Sequence, residues 1–154
     1  MTTYYLDTSA AVKLYVSEIG SGWLHELLVG PRPPAVIASH LLRVEMWSAF
    51  ARRLREGSVS LDDYVEMCGL FAEDRQNLYR FTPINDTAIQ RACEYVERHP
   101  LRASDAIHLT AALHTNAQLL NARKSGLVFL CADDRLLQAA SVEGLAVDNP
   151  NDHP

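Results

Sequence analysis

Short apolar runs rich in β-formers recur five times along the chain, at residues 4–6, 36–38, 78–83, 127–132 and 145–148. All except the third are too short or too continuously apolar to leave one face to water, which marks strands covered on both sides. Between them the apolar positions fall at helical spacing, over residues 9–16, 21–29, 40–56, 61–77, 86–98, 104–116 and 134–140. Strands that alternate with helices predict an α/β fold in which a central parallel sheet of about five strands is covered on both faces. Punctuation agrees with these limits: "GPRPP" (30–34) precedes the second strand, Gly57 ends the long third helix, and Pro100 separates the fifth helix from the sixth. The chain shows no repeat or linker, so one domain is expected over 1–149, with the polar end at 150–154 fraying.

The strand ends carry a recurring feature. In "YYLDTSAAVKLY" an apolar run delivers Asp7 into the start of a helix, and in "LVFLCADDRLLQAA" another delivers Asp133 and Asp134 to the same kind of position. "LRASDAIHLTAALH" places Asp105 in the first turn of a helix beside Ser104, a residue suited to cap it. Each has a plain structural reading, because carboxylates accept hydrogen bonds from free amides at a helix start and complement its dipole. Glu45 is different. In "HLLRVEMWSAFARRLREG" it lies mid-helix, and its neighbours three and four residues away are Leu41, Leu42, Ser48 and Ala49, an apolar or small face on which it either snorkels to water or serves chemistry. In open parallel sheets, functional groups gather beyond the carboxyl ends of the strands. Four acids converging there, with no lysine near them in the motifs to neutralise them, call for a divalent cation, and carboxylate ligands select Mg²⁺ or Mn²⁺ over zinc.

Composition narrows the classes. At 154 residues and 48% hydrophobic content the chain suits one globular domain. No apolar run approaches a bilayer-spanning length, and the N-terminus lacks the cationic start and apolar stretch of a signal peptide, so the expectation is a cytoplasmic protein without a membrane anchor. Cys68, Cys93 and Cys131 form no C-x-x-C pair and read as buried, reduced thiols. A net charge of −5 disfavours nucleic-acid binding by bulk electrostatics but leaves a local basic face open.

"YYLDTSAAVKLYVSE", "VEMWSAFARR", "LRASDAIHLTAAL" and "FLCADDRLLQAA", in this order, resemble the PIN-domain ribonucleases, in particular the VapC-type toxins of toxin–antitoxin pairs. The likeness extends over nearly the whole chain. It implies a three-layer α/β/α domain and a Mg²⁺- or Mn²⁺-dependent endoribonuclease that cleaves RNA with metal-activated water. Carried over by position, Asp7, Glu45, Asp105 and Asp133 match the family's four acids, as catalytic residues and metal ligands, and Ser9 matches its supporting hydroxyl. Asp134 stands beside Asp133 as an alternative fourth acid. The implied partners are RNA, a cognate antitoxin and a second copy of the chain in a homodimer.

Other residues have two readings. Arg43, Arg52, Arg53 and Arg55 on the Glu45 helix, with Arg123 and Lys124 before the fourth strand, either grip an RNA backbone or form an ordinary solvated face. His108, three residues after Asp105, either reaches the site or packs within its helix. Trp23, Trp47 and Tyr64 suit core or interface anchors, and residues 61–77 are apolar on more than one face, as in a helix that meets a partner. Two rival functions remain. A haloacid-dehalogenase-like phosphotransferase also ends its first strand in an aspartate, but wants an acid at position nine, where this chain has Ser9. A non-catalytic PIN-like module would bind a partner through the acidic pocket.

Overall fold

The computed structural model describes residues 1–154. Five strands, β1 (Thr3–Leu6), β2 (Ala35–Ser39), β3 (Tyr79–Thr82), β4 (Val128–Leu130) and β5 (Ala146–Asp148), form one parallel sheet in the order β3-β2-β1-β4-β5. The helices are α1 (Thr8–Ala11), α2 (Ser21–Leu28), α3 (Leu41–Glu56), α4 (Leu61–Asn77), α5 (Asp86–Arg98), α6 (Ala103–Asn121) and α7 (Asp134–Val142). The result is the expected three-layer α/β/α arrangement, and none of its helices is long and apolar enough to cross a membrane.

Alternation along β1 sorts the two cores. Leu6 packs with Leu24, Leu42, Met46, Phe50 and Phe71 of α2, α3 and α4 on one face. Its neighbour Tyr5 points the other way and packs with Leu109, Phe129 and Leu136 under α6 and α7. Because β2 lies on one side of β1 and β4 on the other, the chain reverses its direction of travel across the sheet at β1, and the crevice this opens lies at the strand's carboxyl end, beside Asp7.

Several expectations need correction. The first helix is a single α turn that tightens into a 3₁₀ turn at Val12–Leu14. The sixth runs to Asn121 rather than 116, because Asn116 does not stop it: its side chain accepts from the Leu127 amide at 2.9 Å and pins the loop into β4. Gly126 is what lets that loop come close, since a Cβ there would lie 2.7 Å from Asn116 Oδ1.

The last residues have packing partners in the structure. Pro150–Asp152 is a 3₁₀ turn, Pro150 is buried, and the His153 ring stacks on Trp23 at 3.9 Å while its Nε2 meets Asp148 at 2.8 Å. Gly20, with φ of +84°, accepts the tail's backbone against itself. The three thiols are unpaired, but only Cys131 is buried; Cys68 is half-buried and Cys93 is exposed.

Candidate active site

The carboxyl edge of the sheet opens into a cleft lined by all four sequence-predicted acids, Asp7, Glu45, Asp105 and Asp133, with Ser9 among them. Four elements deliver them. Asp7 follows β1 and caps α1, accepting from the Ala10 amide at 3.1 Å. Its backbone N–H donates to Leu130 O at 3.2 Å, which continues the β1–β4 ladder one residue past the strand. Ser9 Oγ donates to the Asp7 carboxylate at 2.8 and 3.0 Å and accepts from the Ala132 amide at 2.8 Å, tying the ends of β1 and β4 together. Asp7 is almost wholly buried, and burial raises its pKa despite the hydrogen bonds from Ser9 and Ala10.

Glu45 reaches the cleft from the second turn of α3. Its Oε2 takes a hydrogen bond from Thr8 Oγ1 and lies 3.3 Å from His108 Nε2. Burial pushes its pKa up, but the contacts with His108 and Thr8 and the Arg102 charge outweigh that, and the net shift is down. Its Oε1 is buried without any hydrogen-bond partner. The snorkelling alternative is therefore not what this glutamate does.

Asp105 lies in the first turn of α6, where its Oδ2 accepts from the Arg102 backbone N–H at 3.1 Å. The cap position is Arg102 and not Ser104, which lies inside the helix. Asp133 caps α7 through the Arg135 amide at 2.9 Å, whereas Asp134 points away and bonds Asn149 at 3.2 Å. Of the two neighbouring acids it is Asp133 that lines the cleft.

The expectation of uncompensated acids fails. Arg102 bridges Asp105 (Nε, 3.4 Å) and Asp133 (Nη2, 3.5 Å), and Lys13, Arg52 and Arg53 also line the cleft. Lys13 is buried with its ammonium on Glu18 Oε2 (3.2 Å) and the Ile19 carbonyl (3.0 Å). Each acid thus has at least one donor, Arg102 serving both Asp105 and Asp133, and no three His, Cys, Asp or Glu side chains stand close enough together to share an ion. In kind, the donors still fit a hard divalent cation: the acids are carboxylates, and Glu45 keeps one buried oxygen uncommitted.

Among the candidate RNA contacts, Arg52 and Arg53 line the cleft. Arg123 and Lys124 do not, because they line a separate cavity at the opposite edge of the sheet. Arg43 sits at the start of α3 against His40, at 3.5 Å. Sequence reasoning missed Thr8, Lys13, Arg102 and Asn151, all in the cleft wall. For Arg102 a signal existed in its position three residues before Asp105; for Asn151, in the tail, there was none.

Comparison with known proteins follows the same outline. The PIN domain family profile matches residues 4–140. Ribonuclease VapC45 of Mycobacterium tuberculosis is 30% identical over 150 residues, covering 96% of this chain and 95% of that protein. Among solved structures, Mycobacterium tuberculosis VapC20, described as a toxin that cleaves the sarcin–ricin loop, superposes with a TM-score of 0.62 at 18% identity, over 93% of this chain and 96% of its own. VapBC2 from Rickettsia felis, solved with a DNA fragment from its promoter, gives 0.63 at 10% identity, over 96% and 98%. At these identities the structural likeness concerns the fold.

Proposed function

The chain belongs to the PIN-domain family, and from that membership we propose that it is an endoribonuclease, the toxin of a VapC-type toxin–antitoxin pair, which cleaves RNA with Mg²⁺ or Mn²⁺ taken up by Asp7, Glu45, Asp105 and Asp133 as these acids draw closer than the structure places them. The observation that carries this reading is the delivery of four carboxylates from four different elements into one cleft at the reversal point of the sheet. A divalent cation there supplies Lewis-acid activation of water and neutralises phosphate charge. The chain's own residues do the rest. Ser9 fixes the Asp7 carboxylate, Thr8 fixes that of Glu45, and Arg52 and Arg102 at the rim offer guanidinium groups to RNA phosphates, with Arg53, held on Glu18 and the Ala49 carbonyl, adding its charge. The mixed charge of the rim explains how a chain of net charge −5 can take a polyanion.

The cognate antitoxin is the proposed protein partner. An arginine on its tail, forked onto these carboxylates, would compete with the cation and silence the enzyme. Exposed apolar side chains on α3 and α4, Val44, Trp47, Val65 and Leu70, are where we place contact with the antitoxin or with a second copy in a homodimer. A cytoplasmic location belongs to the same reading.

The test is product chemistry. Water attacking phosphorus directly leaves 5′-phosphate and 3′-hydroxyl ends, depends on Mg²⁺ or Mn²⁺, stops with EDTA and tolerates a 2′-deoxy substitution at the scissile nucleotide. Cyclic phosphate ends formed in EDTA overturn the proposal. Absence of cleavage, combined with tight binding of a partner peptide in the cleft, indicates the non-catalytic module instead.

A further inference from the structure

Tyr5 and His108 lie behind the cleft, in the core between the sheet and α6, and both are buried (0% and 2% exposed). A chain of hydrogen bonds joins them to the site. The Ser39 amide donates to Tyr5 Oη at 3.1 Å, Tyr5 Oη lies 3.0 Å from His108 Nδ1, and His108 Nε2 lies 3.3 Å from Glu45 Oε2. Of the two neutral tautomers, only one satisfies every link. With one Tyr5 lone pair taken by the Ser39 N–H, its hydroxyl proton is free to go to His108 Nδ1, which makes Nδ1 an acceptor and leaves the ring proton on Nε2, facing a carboxylate that can only accept. The opposite tautomer would set a bare ring nitrogen against the Glu45 oxygen.

The same chain accounts for the uneven treatment of the two Glu45 oxygens. Oε2 is tied down twice, by His108 and by Thr8, while Oε1 is buried with no partner at all. A buried carboxylate oxygen left bare in an otherwise satisfied network needs a reason.

We propose that Tyr5 and His108 are positioning residues for Glu45: the Tyr5 hydroxyl holds His108 as its Nε2–H tautomer, and His108 with Thr8 clamps Oε2 so that Oε1 stays free for a divalent cation. The inference rests on the reading of Glu45 as a ligand. It extends the site to a residue of β1 and to the Ser39 amide of β2, so that the sheet itself sets the orientation of a side chain on α3. Groups that orient a ligand commonly change metal affinity by about 10–100-fold when lost.

The experiment measures Mn²⁺ binding to the metal-free protein by titration calorimetry, without RNA, together with the ¹⁵N spectrum of the histidine side chains. His108→Leu should weaken Mn²⁺ binding by about 10–100-fold with its near-UV circular dichroism unchanged. His108→Gln should recover most of the loss, since its amide nitrogen reaches about as far as the imidazole Nε2. Tyr5→Phe, which keeps the ring and loses the hydroxyl, should weaken binding several-fold in the wild-type background and add nothing to His108→Leu, because the two act through one contact. Wild-type His108 should show the Nε2–H pattern.

Wild-type affinity in His108→Leu, no recovery in His108→Gln, or a fully additive Tyr5→Phe effect each overturns the proposal, since a merely structural role predicts no rescue and no coupling. Failure of the function reading looks different: the wild-type protein then neither binds Mn²⁺ nor cleaves RNA. In that case the clause about the cation falls with it, and the tautomer alone decides whether Tyr5 orients His108, an Nδ1–H pattern overturning that part too.

Discussion

At the carboxyl ends of the strands a cleft of about 660 Å³ is lined by Asp7, Glu45, Asp105 and Asp133; at the amino ends a cavity of about 900 Å³ is lined by Arg80, Arg123 and Lys124. Helix polarity sorts the two. A helix that follows a strand begins at the carboxyl edge and one that leads into a strand ends at the amino edge, so α1 and α7, and α6 on its way into β4, point amide-rich starts at the cleft, and Asp7, Asp105 and Asp133 answer them as capping or first-turn acids. The opposite cavity receives the ends of α2, α4 and α6, which favour cations, and it holds Arg80, Arg123 and Lys124 beside a single acid, Asp74. The rule is the same at both ends, so sign of charge alone does not mark a site. What differs is burial: Asp7 and Asp105 are 5% and 8% exposed and Glu45 keeps an orphan oxygen, whereas Arg80, Arg123 and Lys124 stand in water. The larger hollow carries charges that solvent already satisfies; the smaller one carries charges that are not.

The largest expected effect separates the two ends directly. Asp7→Asn, Glu45→Gln and Asp105→Asn should each lower Mn²⁺-dependent RNA cleavage by on the order of 10²-fold or more, while the far-UV circular dichroism stays that of the folded protein. Replacing Arg123 and Lys124 together by alanine should leave the rate within about threefold, because exposed charges at the far edge act only through a screened field. Equal losses at both ends would erase the distinction drawn from burial.

A second test concerns the tail that walls the acidic end. Gly20 has φ of +84°, and a Cβ there would lie 2.0 Å from the Pro150 carbonyl oxygen, whereas Gly57, at φ of +73°, faces open space. Gly20→Ala should therefore cost about 2 kcal/mol or more, roughly 4–8 °C in melting temperature, and loosen the tail that carries Asn151 into the cleft. Gly57→Ala pays only the left-handed backbone penalty, about 1 kcal/mol. Thermal melts of the pair decide whether the tail is a packed wall or an appendage.

The sequence made the scaffold readable because both signals it relies on are local. Doubly covered strands are short apolar runs, and α4 and α5 run between the same limits that the pattern predicts. The acids were legible for the same reason, each following an apolar run or interrupting an apolar face. What escaped was set by contacts distant in sequence. Arg102 bridges to Asp133 across 31 positions, Thr8 meets Glu45 across 37, and Tyr5 meets His108 across 103. The tail looked mobile because Pro, Asn and Asp compose turns as readily as loose ends; only the space at Gly20 and the face of Trp23 decide between them.

A smaller effect is expected at Arg102, whose side chain is 69% exposed although it spans two acids. Exposed ion pairs contribute well under about 1 kcal/mol, so Arg102→Ala should leave the melting temperature almost unchanged. Removing a positive charge from beside Asp105 and Asp133 should tighten Mn²⁺ binding a few-fold, while KM for RNA rises because a phosphate donor is gone. Opposite signs for the two ligands would show the acidic end to be poised between cation and RNA; equal signs would make Arg102 a structural brace.

The smallest effect is one of sign. Burial raises the Asp7 pKa in the fold, and an acid with a raised folded pKa stabilises the protein fully below its unfolded value and loses that contribution as pH climbs through the folded one. At neutral pH the charged Asp7 is therefore a net cost to the metal-free fold. Asp7→Asn keeps an oxygen to cap α1, so it should raise the metal-free melting temperature by a few degrees at pH 7, the gain shrinking as pH falls through the raised pKa. Glu45 runs the other way: burial alone would raise its pKa, but the His108 and Thr8 contacts bring it below the ordinary carboxylate value. Its stabilisation is present above the unfolded pKa and is lost as pH falls through the lowered one, so Glu45→Gln should destabilise at pH 7 and converge on wild type in acid. Melts of both variants across pH 3 to 8, with EDTA present, test the crossed pattern. Two shifts of the same sign would mean that burial governs both acids alike, and that the clamp on Glu45 contributes nothing to its ionisation.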